Sequence, residues 1–116
     1  MRWLLVALIV LAPIQASGKG IPVAGMGQAS CGDLLTYVEA RLEFAEDEIH
    51  QWVLGFLTAH NYYHNSELRI GDGAGVKHFI RKYCGDNPLH RIFMAAAALI
   101  EQLGGPKTAH QWLGRL

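Results

Sequence analysis

The sequence has only two cysteines in 116 residues, Cys31 and Cys84, and they are far apart. It contains no C-x-x-C motif, so no thioredoxin-like redox site is indicated. Neither cysteine has another cysteine or a histidine within four residues, and the paired ligands typical of zinc sites are therefore missing as well. These absences favour a disulfide between the two sulfurs, provided that the chain reaches an oxidising compartment.

No hydrophobic run is long enough to cross a bilayer comfortably, because a transmembrane helix needs about 20 apolar residues. The longest run, Trp3–Ile14, has 12 residues. Arg2 precedes it and small residues follow it, as is typical of a secretory signal peptide. We predict a signal peptide over residues 1–18, cleaved after Ala16 or Gly18. A retained membrane anchor is the alternative.

Export makes a Cys31–Cys84 disulfide the expected state of the mature chain, because exported proteins meet oxidising conditions. On the chain-entropy model, closing a loop of this length stabilises a fold by about 4 kcal/mol. The mature chain of about 98 residues is long enough for one domain with one core.

Charge of one sign is not in excess, since ten Lys and Arg residues balance ten Asp and Glu residues. A nucleic-acid partner is therefore not indicated. The distribution is uneven, because Asp33–Glu67 holds seven acids and one base, whereas Arg69–Arg115 holds seven bases and three acids. Pairing between the two halves of the molecule is favoured, and opposite faces offered to partners are the alternative.

No convincing strand pattern is present, and four segments have helical periodicity. Ser30 and Asp33 have capping-box spacing, so the first helix is predicted to begin at Cys31. The acidic run Glu46–Glu48 suits the start of the second helix. Gly55 lies inside this second helix and suggests a close crossing by another helix, with simple tolerance as the alternative. The predicted buried positions are Leu34, Leu35, Val38, Leu42, Ile49, Trp52, Val53, Phe56, His60, Val76, Phe79, Ile80, Tyr83, Ile92, Phe93, Ala96, Leu99, Ile100 and Leu103.

The third helix is predicted to end at Cys84 and the fourth to begin soon after it. Gly85 suits a left-handed helix end, Asn87 suits an N-cap and Pro88 suits the first position of a helix. The fourth helix is predicted to stop at residues 104–106, where two glycines precede a proline.

The chain is therefore predicted to divide into four parts. Residues 1–18 form the signal peptide, and residues 19–29 are glycine-rich and read as a flexible lead-in. Residues 30–104 form the helical disulfide-bonded domain. Residues 105–116 are a tail that either docks as a short fifth helix or stays exposed. The predicted fold class is all-α.

Residues that support catalysis or metal binding are scarce. His60 and His64 are four apart but have no third ligand, so structural or surface histidines are favoured over a metal site. The sequence G-D-G-A-G at Gly71–Gly75 lacks the Gly-Lys-Ser/Thr ending of a phosphate loop and is predicted to be an ordinary loop. Helix-end electrostatics accounts for the run Glu46–Glu48 without acid/base chemistry. We predict no catalytic, cofactor-binding or metal-binding residues.

Three motifs together resemble the HdeA group of periplasmic proteins: S-C-G-D-L-L at Ser30–Leu35, G-F-L-T-A-H-N at Gly55–Asn61 and I-R-K-Y-C at Ile80–Cys84. That group shares a C-x-D-x-L opening, a G-F-x-x-A-x-N segment and one disulfide between the equivalent cysteines. The resemblance covers residues 30–84 and implies a compact helical fold in the periplasm, with Cys31 bonded to Cys84. It also implies a protein-binding role, since HdeA is a dimer that dissociates in acid and shields unfolded clients.

The alanine-rich segment after Cys84 departs from the HdeA pattern. Together with Trp52-x-x-Gly55, it is similar to the Rap and Tai immunity proteins, which are periplasmic helical proteins that neutralise effectors of type VI secretion. Those proteins commonly carry additional cysteines, which this chain lacks.

The expected function is that of a non-enzymatic exported protein that binds other proteins. An HdeA-like acid-stress chaperone is the first expectation, and an immunity protein of the Rap and Tai kind is the alternative. The expected partner is an unfolded client protein or a cognate effector. No nucleic acid, membrane or cofactor is expected, and the sequence leaves open whether the protein forms a homodimer. Residues 65–75 and the tail Thr108–Leu116 are the predicted contact candidates. Six histidines would add to the positive charge in strong acid.

Overall fold

The protein is described by a computed structural model that covers residues 22–106. A 3-10 helix at Gly25–Gln28 is followed by α1 (Cys31–Glu39), α2 (Glu43–His64), α3 (Gly73–Asp86) and α4 (Ile92–Gln102). Within residues 22–106 no strand forms, and the only β-type pairing is an isolated bridge between Ser30 and Arg91. The predicted all-α class with four helices is confirmed. The predicted signal peptide and residues 107–116 of the tail lie outside the described residues.

The start of α1 follows the capping signal in the sequence. The Asp33 amide donates to Ser30 Oγ at 2.9 Å, and the Ser30 amide donates to Asp33 Oδ2 at 3.2 Å. These reciprocal bonds satisfy two amides that a helix start otherwise leaves unpaired. The predicted start at Cys31 is confirmed.

The second helix begins three residues before the predicted acidic run. Arg41 takes a left-handed conformation with φ +55° and ends α1, and Leu42 provides no side-chain cap before Glu43. The Glu46 amide donates to the Leu42 carbonyl and continues the helix from there. Leu42 was predicted to be buried, but its side chain is 51% exposed because it lies at this turn.

The segment between α3 and α4 differs from its prediction. Gly85 stays within α3, which continues to Asp86, and the Asn87 side chain donates back to the Tyr83 carbonyl at 3.0 Å. The helix after it begins at Ile92 with no side-chain cap at Arg91, so neither the left-handed Gly85 nor the Asn87–Pro88 start occurs.

Backbone bonds to the start of α1 set this connection instead. The Cys31 amide donates to the His90 carbonyl at 2.7 Å, and the Gly32 amide donates to the Pro88 carbonyl at 3.0 Å. The Ile92 amide in turn donates to the Ala29 carbonyl at 3.0 Å. Carbonyls of the connection therefore accept from two amides of α1 that have no partner within the helix, and the connection then leads into α4.

One core lies between the four helices. The alanine-rich helix α4 packs closely in this core, since Ala95 and Ala96 are fully buried. Gly55 does not mark a helix crossing, because nothing lies within 4 Å of a Cβ built there, and simple tolerance is the correct alternative. The other buried members of this core are Cys31, Leu34, Ile49, Val53, Leu57, Val76, Ile80, Cys84, Ile92, Leu99 and Ile100.

The glycine-rich segment before α1 is packed where it is described. The 3-10 helix Gly25–Gln28 contacts α2 and α4, and the Arg91 guanidinium donates to the Gln28 carbonyl at 2.6 Å. The ordered contacts of the helical unit thus begin before the predicted boundary at Ser30. None of the helices between residues 22 and 106 combines the length and the apolar character that a membrane span requires.

Candidate functional site

The two cysteines form a disulfide in the middle of the core. Cys31 and Cys84 are fully buried, and their Cα atoms lie 4.7 Å apart across a sequence separation of 53 residues. The bond joins the first residue of α1 to the last turns of α3. The sulfurs therefore serve as a covalent tie between helices, as the sequence predicts.

The two histidines near the end of α2 are placed by local contacts. The rings of His60 and His64 have centroids 4.6 Å apart, and the Ser66 hydroxyl lies 3.3 Å from His60 Nδ1. Burial, followed by the nearby His64, lowers the pKa of His60 below its ordinary value. Between residues 22 and 106 no group of three or more metal-ligating side chains is assembled.

The predicted loop at Gly71–Gly75 is in part the start of α3. Asp72 caps the helix, because its Oδ1 accepts from the Gly75 amide at 2.7 Å. Gly73–Gly75 thus form the first helical turn, and only Gly71 and Asp72 keep loop conformations.

Asn61 fixes the chain that leaves α2. Its Oδ1 accepts from the Ser66 hydroxyl at 2.7 Å and from the Leu68 amide at 3.2 Å, and its Nδ2 donates to the Leu68 carbonyl at 3.1 Å. This residue ends the G-F-x-x-A-x-N segment, so its position in that motif has a structural reason. The contact region predicted at residues 65–75 is therefore partly held against α2.

The acidic run of α2 makes ion pairs with α3. Glu46 is buried, and its carboxylate accepts two bonds from the Arg81 guanidinium, at 2.6 and 2.8 Å. Asp47 accepts from Lys77 at 2.5 Å. The Arg81 hydrogen bonds hold the pKa of Glu46 below its ordinary value, and the Lys77 hydrogen bond lowers the pKa of Asp47. Glu46 thus joins two helices, a role that goes beyond the predicted helix-end electrostatics.

An open groove lies beside these pairs, at the start of α2. The indole of Trp52 lines this groove. It donates to the Ala24 carbonyl at 2.9 Å and stacks on Phe56, with ring centroids 5.4 Å apart. A side chain on Gly27 would collide with Trp52 Cζ2, so the 3-10 helix lies directly on the indole. We call this feature the Trp52 groove. It is lined by Gly25, Met26, Phe44, Asp47, Glu48, Gln51 and Trp52.

Large apolar side chains are exposed beside this groove and elsewhere. Phe44, on the groove wall, is 77% exposed, and Leu42, at the turn before α2, is 51% exposed. At the other end of α2, Tyr62 and Tyr63 are 80% and 81% exposed, and Leu89 is exposed in the connection before α4. The sequence interpretation missed these residues. The helical period places Phe44 and Tyr62 on an outward face whose other residues are polar, namely Glu48, Gln51 and Thr58. Two aromatic residues on a polar face were the sequence signal that could have identified them.

The described residues therefore form a disulfide-tied bundle with an aromatic groove bordered by carboxylates. Comparisons with protein-family models, with curated proteins and with solved structures find no match for this chain.

Proposed function

We propose that this protein is an exported, non-enzymatic protein that binds one folded partner protein at neutral pH, in the manner of an immunity protein. The exposure of Phe44 on the wall of the Trp52 groove carries the proposal. Single exposed apolar residues are common on soluble proteins, but an exposed aromatic ring that lines an open groove beside a second aromatic side chain is typical of interaction sites.

The structure supports binding without prior unfolding. A chaperone that acts only in acid keeps its client-binding surface covered at neutral pH, whereas Phe44 is already open while the core is closed and the disulfide is formed. A rigid surface that is ready to bind loses little conformational entropy on association, which favours tight binding of one partner. For this reason we place the immunity-type function before the chaperone function.

The test pairs this protein with each secreted protein encoded beside its gene, taken as a candidate toxin. The two purified proteins are mixed at pH 7, and affinity is measured by calorimetry together with the residual activity of the toxin. We expect a 1:1 complex with nanomolar affinity and loss of the toxin's activity. Absence of binding to every secreted protein encoded beside the gene would overturn the proposal.

An acid-stress chaperone is the second candidate, and the ion pairs between α2 and α3 favour it. Protonation of Glu46 and Asp47 would remove both pairs, and the histidines would add positive charge at the same time. At about pH 2, a chaperone should suppress aggregation of an unrelated client and bind a dye for exposed apolar surface. If neither effect is seen, this candidate is excluded.

Export is part of both candidates and depends on residues 1–18. It predicts that the periplasmic fraction contains a chain that begins at Ser17 or Lys19 and carries the disulfide. Mass spectrometry of the intact protein from separated cell fractions measures both features at once. Full-length chain in the membrane fraction would instead indicate a retained anchor.

A further inference from the structure

We propose that the Trp52 groove binds an arginine side chain that a folded partner protein presents on an apolar segment. This inference rests on the proposed function and specifies the chemistry of its partner. It follows from three features of the groove, which are its rigid floor, its exposed aromatic wall and its carboxylate rim.

The floor of the groove is fixed before any partner arrives. The Trp52 indole is held by its hydrogen bond to the Ala24 carbonyl, by the ring of Phe56 and by the close approach of Gly27. These contacts come from α2, from the 3-10 helix and from the residue before that helix. A side chain that enters the groove therefore meets a preformed surface.

The wall is an aromatic ring that is open to solvent. Phe44 is 77% exposed, so most of its surface is free to contact a partner. An arginine guanidinium is planar and weakly hydrated, and it stacks on aromatic rings. The apolar residues around that arginine would cover Phe44, which removes apolar surface from water.

The rim supplies negative charge. Asp47 and Glu48 line the groove, and Asp47 remains 56% exposed although it holds Lys77. Glu48 is exposed and forms no ion pair with the other described residues. A guanidinium donates in parallel to a carboxylate while it stacks, whereas a lysine ammonium offers only a point charge. The combination of ring and carboxylates thus selects arginine over lysine, and it repels an acidic segment.

Charge argues against a second copy of this chain as the occupant and leaves the chain's own tail to be tested. In a symmetric dimer through this surface, the same acidic patch would face itself, so Glu48 and Asp47 would oppose their own copies. The residues 107–116 of this chain include Lys107 and Arg115 and are therefore a competitor on composition. Removal of those residues distinguishes the chain's own tail from a separate partner.

The first experiment uses a defined probe and the mature protein. An acetylated peptide Gly-Ser-Leu-Arg-Ile-Arg-Leu-Ser-Gly is titrated at pH 7 and followed by two-dimensional NMR, and a matched peptide with both arginines replaced by glutamate is the control. We expect the arginine peptide to shift the Trp52 indole signal and the amides of residues 44–52, with submillimolar affinity. Equal shifts with the glutamate peptide, or shifts confined to another surface, would overturn the inference.

Variants test the assignment to individual side chains. Phe44→Ala and Glu48→Gln should each weaken the arginine peptide at least fivefold, because both side chains are exposed and neither change should affect folding. Tyr63→Ala, at the far end of α2, is the matched control and should leave affinity unchanged. If a chain that ends at Pro106 binds the arginine peptide at least tenfold more tightly, residues 107–116 occupy the groove in the native protein. If the native protein is a dimer and Phe44→Ala is a monomer, a second copy occupies the groove. Either result overturns the inference.

The same variants separate this inference from the proposed function. If the cognate toxin binds and Phe44→Ala and Glu48→Gln leave its Kd unchanged, the groove assignment fails while the function stands. If no toxin binds but the arginine peptide titrates as expected, the function fails while the groove assignment stands.

Discussion

Glu46 of α2 and Arg81 of α3 form a two-point ion pair, with nitrogen–oxygen distances of 2.6 and 2.8 Å. The carboxylate is buried and the guanidinium is partly exposed, at 44% of its side-chain surface. Removal of either partner leaves a polar group poorly satisfied, and hydrogen bonds to charged groups contribute about 1.5–3 kcal/mol. We expect Glu46→Gln to lower the free energy of unfolding by this amount, measured by urea denaturation at pH 7. Lys82→Gln is the control, since its pair with Asp86 is exposed and should change stability by less than about 0.5 kcal/mol.

The same pair predicts how stability depends on acid. The pKa of Glu46 in the folded protein lies below its ordinary value of 4.5, mainly because Arg81 donates to its carboxylate. The stabilisation is therefore fully present above about pH 4.5 and is lost as the pH falls through the folded-state pKa. Urea denaturation between pH 6 and pH 2 should show a steeper loss of stability in the native protein than in Glu46→Gln. Parallel curves would contradict the role assigned to this carboxylate.

Reduction of the disulfide should destabilise the bundle strongly. The bond closes a loop of 53 residues, which contributes about 4 kcal/mol on the chain-entropy model. The paired variant Cys31→Ala with Cys84→Ala should lose this amount in chemical denaturation and become insensitive to reductant. The native protein should have a mass lower by two hydrogen atoms than its reduced form. Free thiols in freshly isolated native protein would exclude the bond.

Asn61→Ala should loosen the segment after α2 while the core stays intact. The substitution removes three hydrogen bonds that hold Ser66 and Leu68, which is expected to cost about 2 kcal/mol. Hydrogen exchange at the Leu68 amide should become at least tenfold faster. Thr58→Ala is a suitable comparison, because the Thr58 hydroxyl donates only to the Leu54 carbonyl of its own helix. Similar exchange at Leu68 in both variants would show that Asn61 does not hold this segment.

Two glycines should respond oppositely to alanine. Gly55 lies in the exposed interior of α2 with open space around it, so Gly55→Ala should stabilise the protein by about 1 kcal/mol through helix propensity. Gly27→Ala places a methyl group against the Trp52 ring and should destabilise the protein by about 1–3 kcal/mol. Tryptophan fluorescence should shift to the red only in Gly27→Ala. Stabilisation by both changes would contradict the packing of the 3-10 helix on Trp52.

Structural features that depend on a few neighbouring residues could be predicted from the sequence. The start of α1 was predicted because Ser30 and Asp33 satisfy each other's amides within four residues. The apolar spacing of α3 correctly placed Val76 and Ile80 in the core. These features depend on local geometry, which the order of residues determines directly.

Structural features that depend on residues far apart in the chain could not be predicted from the sequence. The residues around Gly85 and Asn87 suggest a local helix end and a local cap, but the amides of α1, more than fifty positions away, determine the path of the segment at Pro88–His90. The Trp52 groove likewise needs Gly27 and Phe44 to meet around one indole, and no spacing rule relates those positions. The periodicity of α2 predicted its buried face and also placed the apolar Phe44 and Tyr62 on its outer face, but it did not bring Gly27 close to Trp52.

The bonds from Cys31 and Gly32 to the carbonyls of residues 88–90 bear on the order in which the protein acquires its structure. Helix α1 is completed at its N-terminus by backbone that is synthesised nearly sixty residues later. A nascent chain that has not reached residues 88–90 lacks these bonds and the loop closure that they require. The first turn of α1 is therefore completed only after those residues have been made.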